Sequence, residues 1–266
     1  MKQVSTRMSK VRDYRAVVLS NRAIDDMVFL MELFLPDFDV PVIPGQFVMI
    51  QIDESYDPFL RRPYSIFECE NATMKILLKV VGRGSEIISR KTENDKINIL
   101  GPLGTGFTDD EKRYPVLVAG GMGIVPLWFL ATRMKQKGMD FSLVFGELTA
   151  STLGEEIGKT FQEKVLFVTD DGTRGAKATV SDALPSIVDS ISHEIISIYS
   201  CGPSRMMQKV IAFGEKSDIP VFVSLEARMA CGIGVCLGCS VQRKGADGFV
   251  TVCKKGPVFK SDKVVF

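Results

Sequence analysis

The 266-residue sequence has one histidine and almost no net charge, with 33 lysines and arginines against 32 aspartates and glutamates. The single histidine, His193, excludes a histidine-rich metal site, and we expect it to be incidental rather than catalytic. Balanced charge gives no indication of binding to nucleic acid or to an anionic membrane surface. No apolar run reaches the roughly 18–20 residues needed to span a bilayer, and residues 1–7 lack the apolar segment of an export signal. We therefore expect a cytoplasmic protein with neither a nucleic-acid nor a membrane partner.

Cysteine is scarce outside the C-terminal region, where four of the six cysteines lie close together. Their spacing is C-x4-C-x2-C, followed by a gap of thirteen residues and a fourth cysteine, which is the plant-type ligand spacing of a [2Fe–2S] cluster. Glycines in this loop permit the tight turns that bring four thiolates to one small core, and exposed N–H groups can hydrogen-bond the sulfurs. The predicted cluster ligands are Cys231, Cys236, Cys239 and Cys253.

Two other uses of clustered cysteines fit this spacing less well. A structural zinc site usually has two C-x2-C pairs, and a disulfide framework is typical of short secreted chains. A zinc-stabilised binding module without turnover is the alternative from a different class of function. Cys69 and Cys201 stand alone in the sequence and are not cluster candidates.

The first part of the chain, residues 14–110, contains short runs of β-branched and aromatic residues separated by turn residues such as Pro44-Gly45. This pattern predicts a small antiparallel β-barrel, with one helix near residues 85–91. The predicted strands are 14–19, 27–35, 46–53, 64–68 and 75–81.

After a charged linker at residues 109–113, apolar strands alternate with helices, which predicts an open parallel α/β sheet. The glycine- and cysteine-rich residues after 225 predict a small module that depends on its metal for stability. The fold class is therefore α+β multidomain, with predicted domains 1–111, 112–225 and 226–266. The predicted strands of the sheet are 114–119, 141–146, 164–169, 195–200 and 219–225, and its helices are 125–137 and 204–215.

A glycine-rich turn, Gly120-Gly121-Met122-Gly123, follows the first strand of the predicted sheet and precedes a helix. Such a turn binds a pyrophosphate, because its backbone can approach the phosphates and the helix end adds partial positive charge. Asp170 and Cys201 end the third and fourth strands at the same sheet edge, where such sheets bind ligands. Cys201 is equally well explained as a small buried filler. The predicted nucleotide-binding residues are Gly121, Gly123, Asp170 and Cys201.

The β-rich part carries a second constellation, Arg61-Arg62-Pro63-Tyr64-Ser65. A guanidinium can bind a phosphate bidentately, Tyr64 can pack on a flavin ring, and Ser65 can reach the edge of that ring. Another glycine turn, at residues 82–85, follows a strand and has a phosphate-binding pattern. The predicted flavin-binding residues are Arg62, Pro63, Tyr64, Ser65, Lys79, Val80, Val81, Gly84 and Ser85.

The order of these motifs resembles the ferredoxin–NADP reductase superfamily over nearly the whole chain. The cysteine loop, Arg62-Pro63-Tyr64-Ser65 and Thr169-Asp170-Asp171-Gly172 are similar to the electron-transfer subunits of class 1B dihydroorotate dehydrogenases. The resemblance implies FAD bound by residues 1–111, NAD by residues 112–225 and one [2Fe–2S] cluster by residues 226–266.

The resemblance implies an NAD-linked oxidoreductase of pyrimidine biosynthesis that exchanges electrons with a separate FMN-containing catalytic subunit in an α2β2 complex. The cofactors carry the chemistry, so we predict no catalytic side chain. NADH is favoured over NADPH, because no cation follows the second strand of the sheet to meet a 2′-phosphate. The alternative within redox enzymes is a reductase subunit that serves ferredoxin or sulfur compounds, of the transhydrogenase or sulfhydrogenase type.

Overall fold

The first part of the chain forms a seven-stranded antiparallel sheet. The computed structural model describes residues 11–53, 57–108, 112–193 and 195–266. No helix among these residues is long and apolar enough to cross a membrane. The elements of the first part are β1 (Arg12–Asp25), β2 (Val28–Phe34), β3 (Phe47–Ile50), β4 (Arg62–Ser65), β5 (Glu68–Glu70), β6 (Thr73–Lys79), α1 (Arg83–Ser89) and β7 (Lys96–Leu103).

This sheet curls on itself, with strand order β4-β3-β7-β1-β2-β6-β5. Its two edge strands, β4 and β5, are consecutive in the chain, so the segment that joins them borders both ends of the sheet. In that segment the N–H of Ile66 donates to the carbonyl of Gln46 at 3.1 Å, and the N–H of Phe67 donates to the carbonyl of Lys75 at 2.9 Å. The predicted antiparallel barrel is confirmed as this curled sheet.

The predicted strand 64–68 is divided between the two edge strands β4 and β5, and two further strands of the curled sheet differ from the sequence prediction. β1 extends well beyond the predicted 14–19, because register irregularities near Ser20 and Asp25 carry its pairing with β2 through polar residues. β7 was not predicted, although buried Ile97 and Ile99 alternate with more exposed neighbours. It pairs with both β1 and β3 and therefore lies inside the sheet rather than at its edge.

The second part forms a parallel sheet with the order β11-β10-β9-β8-β12-β13. Its central strand β12 is buried along its whole length, as expected for a strand that is covered on both faces. The predicted open α/β sheet is confirmed, and it has two helices, α3 and α4, beyond those predicted. The elements are β8 (Tyr114–Gly120), α2 (Ile124–Gln136), β9 (Ser142–Glu147), α3 (Thr152–Phe161), β10 (Val165–Thr169), β11 (Ala176–Lys177), α4 (Val180–Asp189), β12 (Ile196–Cys201), α5 (Ser204–Lys216) and β13 (Val221–Ser224).

The C-terminal residues form a small three-stranded sheet and also return to the parallel sheet. β14, β15 and β17 make the small sheet, whereas β16 pairs antiparallel with β13 and extends the larger one. The domain bounds given above stay predictions. The elements are β14 (Ser240–Arg243), β15 (Phe249–Thr251), α6 (Val252–Lys255), β16 (Val258–Lys260) and β17 (Val264–Val265).

One hydrophobic core, which we call the shared core, joins the curled sheet to the parallel sheet. Phe67 of the curled sheet stacks on Trp128 of α2, with ring centroids 4.7 Å apart. Trp128 also donates from Nε1 to Oε1 of Glu68 at 2.8 Å. On another side, the Asp25 carboxylate accepts from two backbone N–H groups at the start of α3, at 3.3 and 3.4 Å. These contacts fix the orientation of the two sheets.

We expect Trp128→Ala to lower the free energy of unfolding by about 3–5 kcal/mol, because it removes a large ring from the shared core. Trp128→Phe keeps a ring and leaves only the Glu68 oxygen without this donor, so its cost should be smaller, about 1–3 kcal/mol. Urea unfolding followed by circular dichroism measures both values. Equal losses for the two variants would show that the hydrogen bond, and not the packed ring, holds the sheets together.

Candidate functional site

The cysteine loop is shaped by left-handed backbone conformations. The φ angle is +72° at Gly232, +81° at Gly234 and +58° at Leu237, and glycine adopts such values without the steric cost that other residues meet. The turns direct the N–H groups of Ile233 and Cys236 toward the Cys231 sulfur, at 3.4 and 3.5 Å. The loop is therefore built to stabilise negative charge on sulfur.

Backbone hydrogen bonds join the four cysteines into two pairs. The N–H of Cys236 donates to the Cys231 sulfur at 3.5 Å, and the N–H of Cys253 donates to the Cys239 sulfur at 3.4 Å. Burial raises the pKa of Cys231, but N–H groups of the loop and the Cys236 thiol outweigh it and lower the pKa to about 6. Burial, followed by the Cys239 thiol, raises the pKa of Cys253 to about 12. Among the described residues, no trio of histidine, cysteine or acidic side chains is arranged around a single metal ion. Two pairs fit a cluster of two irons, each of which takes two thiolates.

The cysteine loop packs directly on the curled sheet. A Cβ built on Gly232 would lie 2.5 Å from Cγ of Met49 and 3.1 Å from Cδ1 of Leu103, so only glycine fits there. Further along, the N–H of Thr105 donates to the carbonyl of Gly256 at 2.6 Å. The C-terminal residues are thus held against β3 and β7, beside the predicted flavin motif.

The two predicted flavin motifs meet in the structure. Arg62 lies on the edge strand β4, and Gly84 lies in the first turn of α1. A Cβ on Gly84 would come within 3.3 Å of the Arg62 guanidinium nitrogen Nε, which places the guanidinium over the glycine turn. Burial raises the pKa of Tyr64 to about 12, against the smaller opposing effect of Arg62. The Tyr64 ring is therefore neutral at physiological pH.

The Ser85 hydroxyl is engaged within its own turn. It accepts from the N–H groups of Val81 and Gly82, at 2.9 and 3.2 Å, and donates to the Gly82 carbonyl at 2.8 Å. Val81 is exposed, Val80 is half-buried against the interior of the curled sheet, and Lys79 lines the cleft described below. Ser85 thus shapes the turn and leaves its backbone to face a ligand.

Three of the predicted nucleotide residues, Gly121, Gly123 and Cys201, lie where the strand order of the parallel sheet reverses, between β8 and β12, the place where such sheets bind ligands. The fourth, Asp170, follows β10, two strands away from β8. A Cβ on Gly123 would lie 2.1 Å from the carbonyl oxygen of Cys201, so the glycine turn rests directly on the tip of β12. Gly121 has a φ of +53°, and the space where its Cβ would point is open.

A cleft of about 1460 Å³ lies between the two sheets. The β1–β2 hairpin and Lys79 line one wall, and Gly121, Asp170 and the start of α5 line the other. Arg205 and Lys209 of α5 also line it, and sequence analysis missed both. Their spacing of four residues on a helix that follows the Cys201-Gly202-Pro203 tip could have indicated them.

Cys201 is buried, and burial raises the pKa of its thiol to about 12. Its backbone, rather than its thiol, meets the glycine turn. A second cavity of about 390 Å³ lies beside it and is lined by both turns and by Glu226. Sequence analysis missed Glu226, which follows β13 without any motif to mark it.

The fold and the site define a class, the ferredoxin–NADP reductase-like oxidoreductases. A solved structure of an NADH-dependent reduced ferredoxin-NADP oxidoreductase matches with a TM-score of 0.83 and 27% identity, over 94% of this chain and 89% of that chain. A ferredoxin NADP+ reductase from Neisseria gonorrhoeae, with a TM-score of 0.62 and 16% identity over 77% of this chain and 92% of its own, shares the fold.

A family model described as the iron-sulfur cluster binding domain of dihydroorotate dehydrogenase B matches residues 226–265. Two relatives bear the name dihydroorotate dehydrogenase B (NAD(+)), electron transfer subunit. The relative from Desulforamulus reducens is 36% identical over 97% of this chain and 100% of its own length. The relative from Clostridium acetobutylicum is 35% identical over 93% of this chain and 95% of its own. The chain belongs to the family of dihydroorotate dehydrogenase B electron transfer subunits.

These comparisons confirm the predicted family resemblance and the prediction of an oxidoreductase subunit for electron transfer. They also confirm the predicted cofactor set of FAD, a [2Fe–2S] cluster and NAD. The individual residues that hold each cofactor stay predictions.

We expect Gly123→Ala to lower the free energy of unfolding by about 3 kcal/mol or more, because the new methyl group meets rigid backbone at Cys201. Gly121→Ala is the matched control, since its side chain would enter open space and cost only the left-handed conformation, about 1–2 kcal/mol. Thermal unfolding of the two variants measures the difference. Equal stability would contradict the close approach of the two turns.

Proposed function

We propose that this chain transfers electrons between NAD and a dihydroorotate-oxidising partner subunit. The observation that carries the proposal is the convergence of three sites: the flavin motif on β4, the cleft beside the Gly121 turn, and the cysteine loop packed on β3. When bound, FAD exchanges hydride with the nicotinamide and single electrons with the cluster. The names of the relatives support this assignment.

For the cluster, we propose that Cys231 and Cys236 bind one iron and that Cys239 and Cys253 bind the other. The two thiol pairs support this division. The N–H groups directed at the Cys231 sulfur stabilise its thiolate, as hydrogen bonds to ligand sulfurs do in such sites.

For the flavin, we propose that Arg62 binds a phosphate while the backbone of the turn at Gly84 approaches it. Tyr64 supplies a neutral ring on which the flavin packs, and Pro63 and Ser65 lie on the same strand, β4. Ser85 holds the turn in place through its three hydrogen bonds to Val81 and Gly82. Lys79, Val80 and Val81 complete the site at the end of β6.

For the nucleotide, we propose that the turn at Gly121 and Gly123 binds the pyrophosphate, with Asp170 accepting hydrogen bonds from a ribose or an amide. Cys201 contributes backbone at the same place. Arg205 adds positive charge to this end of the cleft. Lys209 also adds charge, although Asp182 lies 3.5 Å from its ammonium group.

For the partner, we propose an FMN-containing catalytic subunit of pyrimidine biosynthesis and an α2β2 assembly in the cytoplasm. The loop that carries the cluster ligands exposes Ile233, Val235 and Leu237, and exposed apolar side chains of this kind mark protein contacts. A second candidate is a reductase subunit for ferredoxin, which the similarity to the NADH-dependent ferredoxin-NADP oxidoreductase favours.

We expect NADH, added without oxygen to the purified chain, to bleach both the flavin bands and the broader iron–sulfur absorbance. Cys253→Ser should lose the iron–sulfur absorbance and half or more of its iron while the flavin still bleaches, because one cluster ligand is gone. Cys69→Ser is the matched control and should behave as the unmodified chain.

A colourless, zinc-containing protein would overturn the proposal in favour of the non-catalytic binding module. Rapid electron acceptance from reduced ferredoxin, with none from dihydroorotate and the catalytic subunit, would favour the ferredoxin reductase instead.

We expect Leu148→Arg to raise the ratio of kcat/KM for NADPH over NADH about tenfold or more, by giving a 2′-phosphate a charged hydrogen-bond partner. Leu148 is exposed and lines the cleft at the end of β9. Gly146, two residues earlier, is unsuitable for the arginine substitution, because a Cβ at this position would lie 2.0 Å from Cγ2 of Val180. Leu148→Gln is the neutral control, and an equal change in both variants would contradict this placement of the adenosine ribose.

A further inference from the structure

The paired strands β3 and β4 have two faces with different neighbours. Phe47 pairs with Ser65, and Met49 pairs with Pro63. Residues directly opposite each other in an antiparallel pair point to the same side, and successive residues alternate. These four side chains therefore share one face, whereas Tyr64 belongs to the other.

The face with Met49 is covered by the cysteine module. Met49 is 0% exposed and Phe47 is 3% exposed, and both belong to the hydrophobic cluster that contains Cys239 and Cys253. Val48, between them, belongs instead to the interior of the curled sheet. One strand thus separates the barrel interior from the cluster ligands.

The module contacts this face at Gly232, next to the proposed ligand Cys231. A Cβ on Gly232 would lie 2.5 Å from Cγ and 3.2 Å from Sδ of Met49. The backbone of the cysteine loop therefore rests on the Met49 side chain. On the same face lie Pro63 and Ser65, two of the proposed flavin residues.

We propose that Met49 is the positioning residue that sets the distance over which electrons pass between the flavin and the cluster. The inference rests on the proposed function. Electron tunnelling slows steeply as the separation grows, and more so across a gap than through packed atoms. Met49 lies directly beneath the cysteine loop, on the strand paired with the proposed flavin strand β4, so its volume sets the height of the loop above these strands and the packing at that contact.

The step that Met49 controls is the transfer of a single electron. NADH gives two electrons and a proton to the flavin as hydride. One of those electrons then reduces one ferric ion of the cluster, and the other stays on the flavin.

The test compares variants that change the volume at this position in the fully loaded protein. Met49→Leu keeps most of the volume, and Met49→Ala leaves a gap under the loop. Met31→Ala is the matched control, because Met31 is also 0% exposed on a strand of the curled sheet but belongs to its interior. Iron content and flavin absorbance establish that every variant is loaded.

A flash of light with a one-electron reductant reduces the flavin, and the decay of that signal with matching bleaching of the cluster gives the transfer rate directly. We expect Met49→Ala to transfer about tenfold more slowly or worse, because a small displacement at such a contact is costly. Met49→Leu and Met31→Ala should stay within a factor of about two of the unmodified chain. A Met49→Ala rate equal to that of Met31→Ala would overturn the inference.

A second set of variants tests the contact itself. Gly232→Ala should slow the transfer by pushing the loop off Met49. The double variant Gly232→Ala/Met49→Ala should recover the part of the loss that comes from this clash, because the new methyl group occupies the vacated space, while the left-handed backbone at residue 232 stays strained. A double variant that is slower than either single variant would overturn the inference. If the flavin of the unmodified chain passes no electron to the cluster, the proposed function itself fails. If the unmodified chain transfers electrons and the Met49 variants do so at the same rate as Met31→Ala, only the role of Met49 fails.

Discussion

The apolar packing between the curled sheet and the parallel sheet is the constraint on which the other features depend. The proposed flavin residues lie on one sheet and the proposed nucleotide residues on the other, so the cleft has a defined width only if the sheets cannot slide. Trp128 prevents sliding in two ways: its ring is stacked on Phe67, and its N–H is bound to Glu68. Lys75, 3.0 Å from the same carboxylate, holds Glu68 in place.

Glycine positions are as important for the proposed sites as the buried side chains. In three places a glycine lets segments that are distant in sequence come into contact: Gly123 against Cys201, Gly84 under Arg62, and Gly232 on Met49. Each contact lies in a different proposed cofactor site. The glycines therefore do more than relax the backbone locally, because each one joins two motifs into a single surface.

The sequence was most informative where chemistry forces a local pattern, as in the cysteine spacing and the apolar runs of the parallel strands. It was less informative where partners are distant. β7 has only a short alternation of buried and more exposed residues, and it is stabilised as a strand by pairing with β1 and β3. Glu226 reaches its cavity through the path of the backbone after β13, which no local pattern reveals. Sequence alone also could not show that the Ser85 hydroxyl is already engaged or that the Cys201 thiol is buried.

The pairing of β16 with β13 has a consequence for how the protein matures. Ser224 and Val258 are directly opposite each other in these strands, so the chain from 225 to 257, with all four proposed cysteine ligands, is a loop whose ends are joined by the sheet. Most of the entropy of closing that loop is lost when the sheet forms. The apoprotein can thus hold the cysteine segment tethered at both ends before iron and sulfide bind, so that cluster assembly orders a local loop whose ends the sheet has fixed.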